Sequence, residues 1–392
     1  MTRRCPGRAG RPGNRGVRAG RGPGRDVRSA PLAGSPCRSR CANCDHRTAA
    51  QGTGTRRRTT AAAHGHRRPH RLPHPRGPVQ AVDGVSLSLS EGETLAIVGE
   101  SGSGKSVLGR TLMGLITDGP GTTVSGTVLL GGRDVHALSP AGRRALWGTE
   151  AATVFQDPMT SLNPVKKTGA HLAESVRLHQ GLSRAEARER AVELLRQVGI
   201  PEPARRARQY PHELSGGMRQ RVVIAMALAC GPRLLIADEP TTALDVTVQK
   251  QILDLLQTLA RDLRMATVLI SHDLATVAGR TDRVAVMYAG RLVEYAPTPA
   301  VFERPRHPYS SALIASIPRL DLPPHTLLPT IEGRPPDLLH PPPGCRFALR
   351  CGAATDRCTA QSPPLAAYAG DRDAGGVVAC HHPLGAAEEA AV

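Results

Sequence analysis

The feature that most constrains this chain is a glycine-rich stretch between an apolar run of strand length at 94–98 and a helical pattern of apolar residues at 107–116. This order of strand, glycine turn and helix is the setting of a phosphate-binding loop, in which backbone N–H groups and the positive end of the helix face phosphate oxygens. Lys105 would reach the β- and γ-phosphates, and Ser106 would hold Mg²⁺. The predicted nucleotide-binding residues are Gly99, Glu100, Ser101, Gly102, Ser103, Gly104, Lys105 and Ser106.

A second candidate part of a nucleotide site is a pair of acids at the end of a buried strand. Residues 234–237 are apolar and are followed directly by Asp238 and Glu239. Burial of carboxylates is unfavourable unless they have partners, so a solvated strand end is the simplest alternative. Beside a phosphate loop, Asp238 is predicted to hold Mg²⁺ and Glu239 to act as the base that orients or activates water.

Three more positions are weak signals when taken alone. Gln156 follows a short strand at 153–155, and His272 follows another at 267–270, level with the same edge as the two acids. A lone histidine there would ordinarily have no function. The Ser-Gly-Gly turn at 215–217 opens an apolar helix, so a second set of backbone donors can face an anion, although such a turn is usually only a helix cap.

The net charge of +18 is carried by one end of the chain: residues 1–77 hold 19 Arg, no Lys and two acids, a net charge of +17. This stretch is rich in Gly, Pro and Arg and lacks apolar periodicity, so we expect a disordered tail. It is either a basic arm for nucleic acid or anionic lipid, or a mis-assigned start, and its composition favours the second. No apolar run approaches the ~18–20 residues needed to span a bilayer, so we expect a soluble or peripheral protein.

In combination, these motifs resemble one family. GESGSGKS, Gln156, LSGGMRQR, LLIADEP, Asp245 and His272 occur in the order and spacing of ATP-binding-cassette (ABC) ATPases, over about residues 79–392. The resemblance implies an α/β fold with a P-loop (RecA-like) core, an antiparallel β subdomain, a helical signature subdomain and a small C-terminal extension that contains cysteines. The expected limits are 78–300 for the cassette, about 159–220 for the helical subdomain, and 301–392 for the extension.

The resemblance also implies roles in ATP hydrolysis. Lys105 and Ser106 contact phosphate and Mg²⁺, and Asp238 is the metal carboxylate. Glu239 is the catalytic base. Gln156 contacts the metal and senses both the γ-phosphate and the membrane partner.

The remaining roles concern switching and the dimer. His272 is the γ-phosphate switch. The signature, made of Ser215, Gly216 and Gly217, completes the ATP site of the opposing subunit. Asp245 communicates across the dimer interface.

Longer motifs narrow the resemblance to the D-type ATPase of dipeptide and oligopeptide importers. These motifs are FQDPMTSLNP at 155–164, EPTTALDVT at 239–247 and RHPY at 306–309. The implied partners are a second, F-type ATPase, two permeases and an extracytoplasmic peptide-binding protein, with no nucleic acid. The implied location is peripheral, on the cytoplasmic side of the inner or plasma membrane.

The alternative is a soluble ABC ATPase that acts on nucleic acid or the ribosome, which the basic tail could suggest. Chromosome proteins of this kind insert long coiled coils between the P-loop and the signature. Here Lys105 and Ser215 are only 110 positions apart, without sustained heptads. Ribosomal relatives carry two cassettes, and this chain has one.

The match fails in one place. Family members carry an aromatic residue, which stacks on adenine, on a strand about fifteen positions before the equivalent of Ala81. Residues 60–78 contain no aromatic residue other than histidine and show no strand pattern, and His70 and His74 are poor substitutes. We therefore expect no regular strand in this segment, and a frameshift or wrong start near residues 71–77 would account for the missing aromatic strand.

Four cysteines cluster near the end of the chain: Cys345, Cys351, Cys358 and Cys380. A cytosolic chain is not expected to form structural disulfides, so four thiols suggest a metal. Zinc sites normally contain a close C-x₂₋₄-C pair, which is missing, although His381 and His382 could replace ligands. Four separated thiolates suit a [4Fe–4S] cluster, and the importer extension that this region resembles carries one. Unligated cysteines are the alternative.

Overall fold

The computed structural model describes residues 63–64, 70–75, 77–242, 244–318, 323, 327–368 and 375–385. The predicted tail therefore lies almost entirely outside the described residues. The strands are β1 (Ala63–His64), β2 (His70–Leu72), β3 (Val79–Val82), β4 (Thr94–Val98), β5 (Thr127–Leu130), β6 (Arg133–Asp134), β7 (Ala151–Val154), β8 (Leu234–Asp238), β9 (Ala266–Ser271), β10 (Arg283–Tyr288), β11 (Arg291–Pro297), β12 (Ala366–Ala367) and β13 (Val377–Val378).

Helices alternate with these strands through most of the chain. The α-helices are α1 (Lys105–Leu112), α2 (Pro140–Leu146), α3 (Pro158–Ser161), α4 (Thr168–Gln180), α5 (Arg184–Gln197), α6 (Pro203–Arg206), α7 (Gly216–Leu228), α8 (Val246–Asp262), α9 (Thr298–Glu303), α10 (Pro308–Ala315) and α11 (Asp356–Ala360). Short 3₁₀ turns lie at Pro211–Glu213 and Ala348–Arg350.

The centre of the fold is an eight-stranded sheet in the order β12-β13-β11-β10-β4-β9-β8-β7. The five strands from β10 to β7 run parallel to one another. Their sequences are nearly continuous apolar runs, because helices or the C-terminal region cover both faces of the sheet. Parallel strands end at a common edge, and this edge collects the segments that follow β4, β7, β8 and β9.

Two small antiparallel sheets lie beside this core: β1-β5-β6 and β2-β3. They confirm the predicted antiparallel β subdomain, but the expectation of no strand at residues 60–78 was wrong. Ala63–His64 pairs with β5, and His70–Leu72 pairs with β3. Strands of two or three residues are held by backbone pairing and are too short to show an alternating pattern.

The helical subdomain packs α4, α5 and α7 around one apolar cluster. Helix α5 begins at a capping box, where the Ser183 side chain accepts from the Glu186 backbone N–H and the Glu186 side chain accepts from that of Ser183. Its buried face consists of Ala187, Ala191, Leu194 and Leu195.

The C-terminal region extends the central sheet rather than standing apart from it. Strand β13 pairs with β11, and β12 pairs with β13. Tyr309 and Phe347 are buried against Tyr288 of β10, with ring centroids 4.6–5.3 Å apart. Among the described residues, no helix is long and apolar enough to cross a membrane.

Candidate functional site

The phosphate loop joins β4 to α1 with glycines at the positions of unusual backbone. Gly99, Gly102 and Gly104 have φ values of 148°, 80° and 94°, which side chains rarely adopt. A Cβ at Gly104 would also lie 2.1 Å from the carbonyl oxygen of Ala81. Only glycine can therefore occupy position 104. Helix α1 begins directly after it, and the backbone N–H groups in the first turn of α1 have no partner within the helix.

Lys105 lies at the base of this loop. Its Nζ donates to the carbonyl oxygens of Gly99 (2.8 Å) and Glu100 (3.0 Å), and the residue is 4% exposed. Burial lowers the pKa of Lys105, while the charges of Glu239, Asp238 and Glu100 oppose that shift. A buried ammonium that has only carbonyl partners is well suited to gain an anionic one.

Ser106 and Asp238 meet across the edge of the sheet. The Ser106 hydroxyl donates to Oδ1 of Asp238 at 2.8 Å, although the two residues are 132 positions apart. Burial raises the pKa of Asp238, and the hydrogen bond from Ser106 opposes the shift. A hydroxyl and a carboxylate placed together beside a phosphate loop are the protein donors that Mg²⁺ takes when phosphates supply other ligands.

Glu239 is the centre of a second cluster at the same edge. Its Oε2 accepts from Nε2 of Gln156 (3.1 Å) and lies 3.1 Å from Nδ1 of His272. The Thr242 hydroxyl donates to the same oxygen at 3.2 Å. The structure thus brings together three predicted residues that come from the ends of β7, β8 and β9. Thr242 was missed, and its only sequence signal is its place three residues after Glu239.

The signature turn lies at the start of α7, next to α8. Ser215 caps α7 by accepting from the backbone N–H of Met218 (3.3 Å), and Ser215 and Gly216 are exposed. A Cβ at Gly217 would lie 2.6 Å from Cγ1 of Val248, so this glycine lets α7 approach α8 closely. Asp245 caps α8, accepts from the Val248 N–H at 2.9 Å, and is exposed.

Two residues of the C-terminal region also reach the phosphate loop. The backbone N–H of Glu100 donates to the Tyr309 hydroxyl at 2.9 Å, and the Glu100 carboxylate accepts two hydrogen bonds from Arg350 at 2.8 and 3.1 Å. These residues are 209 and 250 positions from Glu100. No sequence motif marks them as part of a nucleotide site.

The four C-terminal cysteines lie around one pocket, together with His307, His381 and His382: the thiols are those of Cys345, Cys351, Cys358 and Cys380. Burial raises the pKa of the Cys380 thiol to about 11 and also raises that of Cys345. The pocket has a volume of only about 20 Å³, which is room for about one water molecule. Among the described residues, no group of three or more His, Cys, Asp or Glu is arranged to hold a metal ion. The structure therefore does not support the predicted iron–sulfur cluster.

A glycine loop with its lysine, a hydroxyl–carboxylate pair, and a glutamate joined to Gln156 and His272 define an ATP-binding cassette of the ABC class. The ABC transporter family model matches residues 82–242, and that of the oligopeptide/dipeptide transporter C-terminal region matches residues 293–358. The chain belongs to the ABC transporter family of ATPases, in the branch that carries the oligopeptide/dipeptide transporter C-terminal region.

Individual relatives agree with this assignment. The chain is 52% identical over 289 residues to the oligopeptide transport ATP-binding protein OppD of Bacillus subtilis. The aligned region covers 74% of this chain and 81% of OppD. It is 49% identical over 307 residues to the dipeptide transport ATP-binding protein DppD of Escherichia coli, and the aligned region covers 78% of this chain and 92% of DppD. The predicted family and fold class are confirmed.

Solved structures give the same fold. The ATP-binding cassette MJ0796, in a dimer bound to ADP and Pi, superposes with a TM-score of 0.53 at 27% identity. The match covers 62% of this chain and 98% of that cassette.

Proposed function

We propose that this chain is the D-type ATPase of an importer, and that it couples ATP binding and hydrolysis to the uptake of dipeptides or oligopeptides. The ATPase part is carried by one observation: Glu239 contacts both Gln156 and His272 at the sheet edge that also holds Lys105 and Asp238. The peptide part is supported by the names of the relatives and by the matched C-terminal region. The same comparisons give no support to a nucleic-acid or ribosomal role.

In this proposal, the loop at 99–106 holds the ATP phosphates. Backbone N–H groups of the glycine turn and of the first turn of α1 face the phosphate oxygens. Lys105 turns its ammonium from the loop carbonyls to the β- and γ-phosphates, where it neutralises charge. Ser106 and Asp238 would hold Mg²⁺ together with Gln156, and the ion would neutralise the charge of the phosphate oxygens.

Hydrolysis is assigned to the Glu239 cluster. The Glu239 carboxylate orients the attacking water and accepts its proton. Gln156 and His272 hold that carboxylate in place through its Oε2, and in this proposal both also sense the γ-phosphate. Thr242 fixes the same oxygen from the following turn.

We further propose that the ATP site is completed by another subunit. Ser215 and Gly216 are exposed at the start of α7 and so are available to a partner, as is Asp245 at the start of α8. In the importer, the partner is an F-type ATPase, and two permeases and a peptide-binding protein complete the assembly at the cytoplasmic side of the membrane. The proposed domain limits remain 78–300 for the cassette and 301–392 for the extension.

Reconstitution tests this function directly. The purified chain is expected to hydrolyse ATP slowly, and assembly with the F-type subunit and permeases should raise the rate by an order of magnitude or more, because positioning dominates phosphoryl transfer. Proteoliposomes with the binding protein should accumulate a labelled tripeptide only with ATP. Equal rates for the chain and the complex would contradict completion in trans. An active complex that imports no peptide would contradict the substrate class.

The iron–sulfur cluster remains a proposal, supported by the four cysteine thiols that line one pocket. Binding would require the pocket to open beyond its present volume. Protein purified without oxygen should then be brown, absorb near ~400 nm and contain iron and sulfide in equal amounts. One zinc per chain would replace iron in this proposal, and a metal-free protein would leave four unligated thiols.

A further inference from the structure

The guanidinium group of Arg350 is fully hydrogen-bonded. A guanidinium has five N–H donors, and each of those of Arg350 has an acceptor. Nε donates to the Glu332 carbonyl oxygen (2.8 Å), and the two terminal nitrogens donate to the carboxylate of Glu100, the Tyr288 hydroxyl (3.1 Å) and the Ile331 carbonyl oxygen (2.8 Å). The side chain is 5% exposed. One residue thus ties the segment at 331–332 and the end of β10 to the phosphate loop.

Glu100 is held at three points in return. Arg350 binds its carboxylate in the two-pronged geometry that is the strongest form of this ion pair. The Tyr309 hydroxyl accepts from its backbone N–H, and Lys105 donates to its carbonyl oxygen. Glu100 is therefore a residue of the phosphate loop that the C-terminal region and the phosphate-binding lysine both contact.

The ion pair also settles a problem of charge. Glu100 places a carboxylate on a loop whose task is to bind polyphosphate, and its charge acts on Lys105. Arg350 neutralises that carboxylate, and the side chain of Glu100 is only 26% exposed, so water would screen it poorly without Arg350. The hydrogen bonds to Glu100 are also the main reason that the pKa of Arg350 is raised.

We propose that Arg350 and Tyr309 are positioning residues for ATP, which hold the phosphate loop in its binding shape and cancel the charge of Glu100. The inference rests on the proposed function only in that the loop binds ATP. The aromatic contacts of Tyr309 and Phe347 with Tyr288 keep the two residues in register with the loop. The C-terminal region thereby sets the ATP affinity of the cassette that precedes it.

The test uses the complete transporter with Arg350→Met, which keeps most of the length of the side chain and removes its charge. Photolabelling with 8-azido-ATP, read on this subunit alone, should need about tenfold more nucleotide for half-saturation, because hydrogen bonds to a charged group are lost and Glu100 is left unpaired. ATPase kcat and peptide uptake at saturating ATP should stay within about twofold of wild type, because the group does not touch the reacting atoms.

Two further variants separate positioning from general stability. Arg346→Met removes the neighbouring buried arginine, which ties the same region to Asp83 at 2.6 Å and to the Ala289 carbonyl but not to Glu100. It should lower the melting temperature as Arg350→Met does, with half-saturation near the wild-type value. Glu100→Gln combined with Arg350→Met should recover at least half of the lost affinity, because no unpaired charge then faces the phosphates.

The proposal fails if Arg350→Met leaves half-saturation unchanged. It also fails if Arg346→Met weakens labelling equally, or if Glu100→Gln brings no recovery, since the effect would then come from a loosened fold. Each of these outcomes is distinct from failure of the proposed function, which would appear as loss of peptide uptake at saturating ATP in the wild-type complex.

Discussion

Glu239 shows at the scale of one residue how the sheet edge shapes the site. Its φ of 48° lies in the left-handed region, which costs a non-glycine residue roughly 1–2 kcal/mol. The backbone N–H of Glu239 donates to the Ile270 carbonyl oxygen of β9 at 3.0 Å and so holds the turn. The strained backbone aims the carboxylate at Gln156 and His272 instead of continuing β8.

The first prediction follows from this geometry. Glu239→Gln keeps the shape of the side chain and removes the base, so ATP binding should persist while turnover in the assembled transporter falls roughly 10²–10⁴-fold. Glu193→Gln, on the surface of α5, is the control and should behave as wild type. The measurement requires a complex in which the ATP site of the partner subunit is inactive. Near-normal hydrolysis by Glu239→Gln in that complex would show that Glu239 is not the catalytic base.

Residues of the site were predictable where type and spacing carry the chemistry. Lys105, Ser106 and Asp238 follow from a glycine loop and from acids that end an apolar strand. Tyr309 and Arg350 could not be predicted, because their contact with Glu100 exists only after chain segments more than 200 residues apart have packed together. The roles assigned to the predicted site residues remain predictions until variants are measured.

At the scale of elements, helix α4 buries a histidine against the rest of the helical subdomain. His171 is 7% exposed, and its Nε2 lies 3.1 Å from the carbonyl oxygen of Asn163. A carbonyl oxygen only accepts, so this nitrogen carries the proton. Burial lowers the pKa of His171 below its usual value near 6.5.

This shift gives the second prediction. At a pH between the lowered pKa of His171 in the folded protein and its unfolded value near 6.5, the unfolded chain binds more protons than the folded one. The contribution of His171 to the free energy of unfolding is therefore fully present above about pH 6.5 and is lost on acidification. The slope can reach about 1.4 kcal/mol per pH unit. Urea unfolding from pH 7.5 to 5.5 should show wild type losing stability relative to His171→Gln, whose amide can keep the bond to Asn163. The exposed His212→Gln should follow wild type, and parallel profiles for all three would contradict the prediction.

Elements were predictable where local signals agree. The apolar runs of β4, β8 and β9 were found as expected. Strand β3 ends at Val82, and after it Val85, Leu87 and Leu89 are buried at alternating positions without strand pairing. Burial alone can produce an alternating pattern. The short strands β1 and β2 carry no local signal, and β1 also depends on a partner, β5, that is distant in sequence.

At the scale of the whole molecule, the first described element is strand β1, which begins at Ala63. Deletion of residues 1–62 should leave the melting temperature, ATP affinity and peptide uptake of the transporter unchanged, because the Gly-, Pro- and Arg-rich sequence of this segment predicts no buried core. Deletion of residues 1–72 is the matched comparison: it also removes β1 and β2, exposes the edges of β3 and β5, and should lower the melting temperature. If the shorter deletion abolished uptake by a folded protein, the basic-arm interpretation would replace that of a mis-assigned start.

The bond between Arg350 and Glu100 also has a consequence in time, because a ribosome makes its two ends far apart. At about 5–20 residues per second, roughly 12–50 s separate the synthesis of Glu100 from that of Arg350. Asp238 and Glu239 are made within that interval, so both acids of the site are present before Arg350 can bind Glu100 of the phosphate loop. If Arg350 positions the phosphate loop as proposed, the nascent cassette is expected to bind ATP more weakly until its C-terminal region has been made.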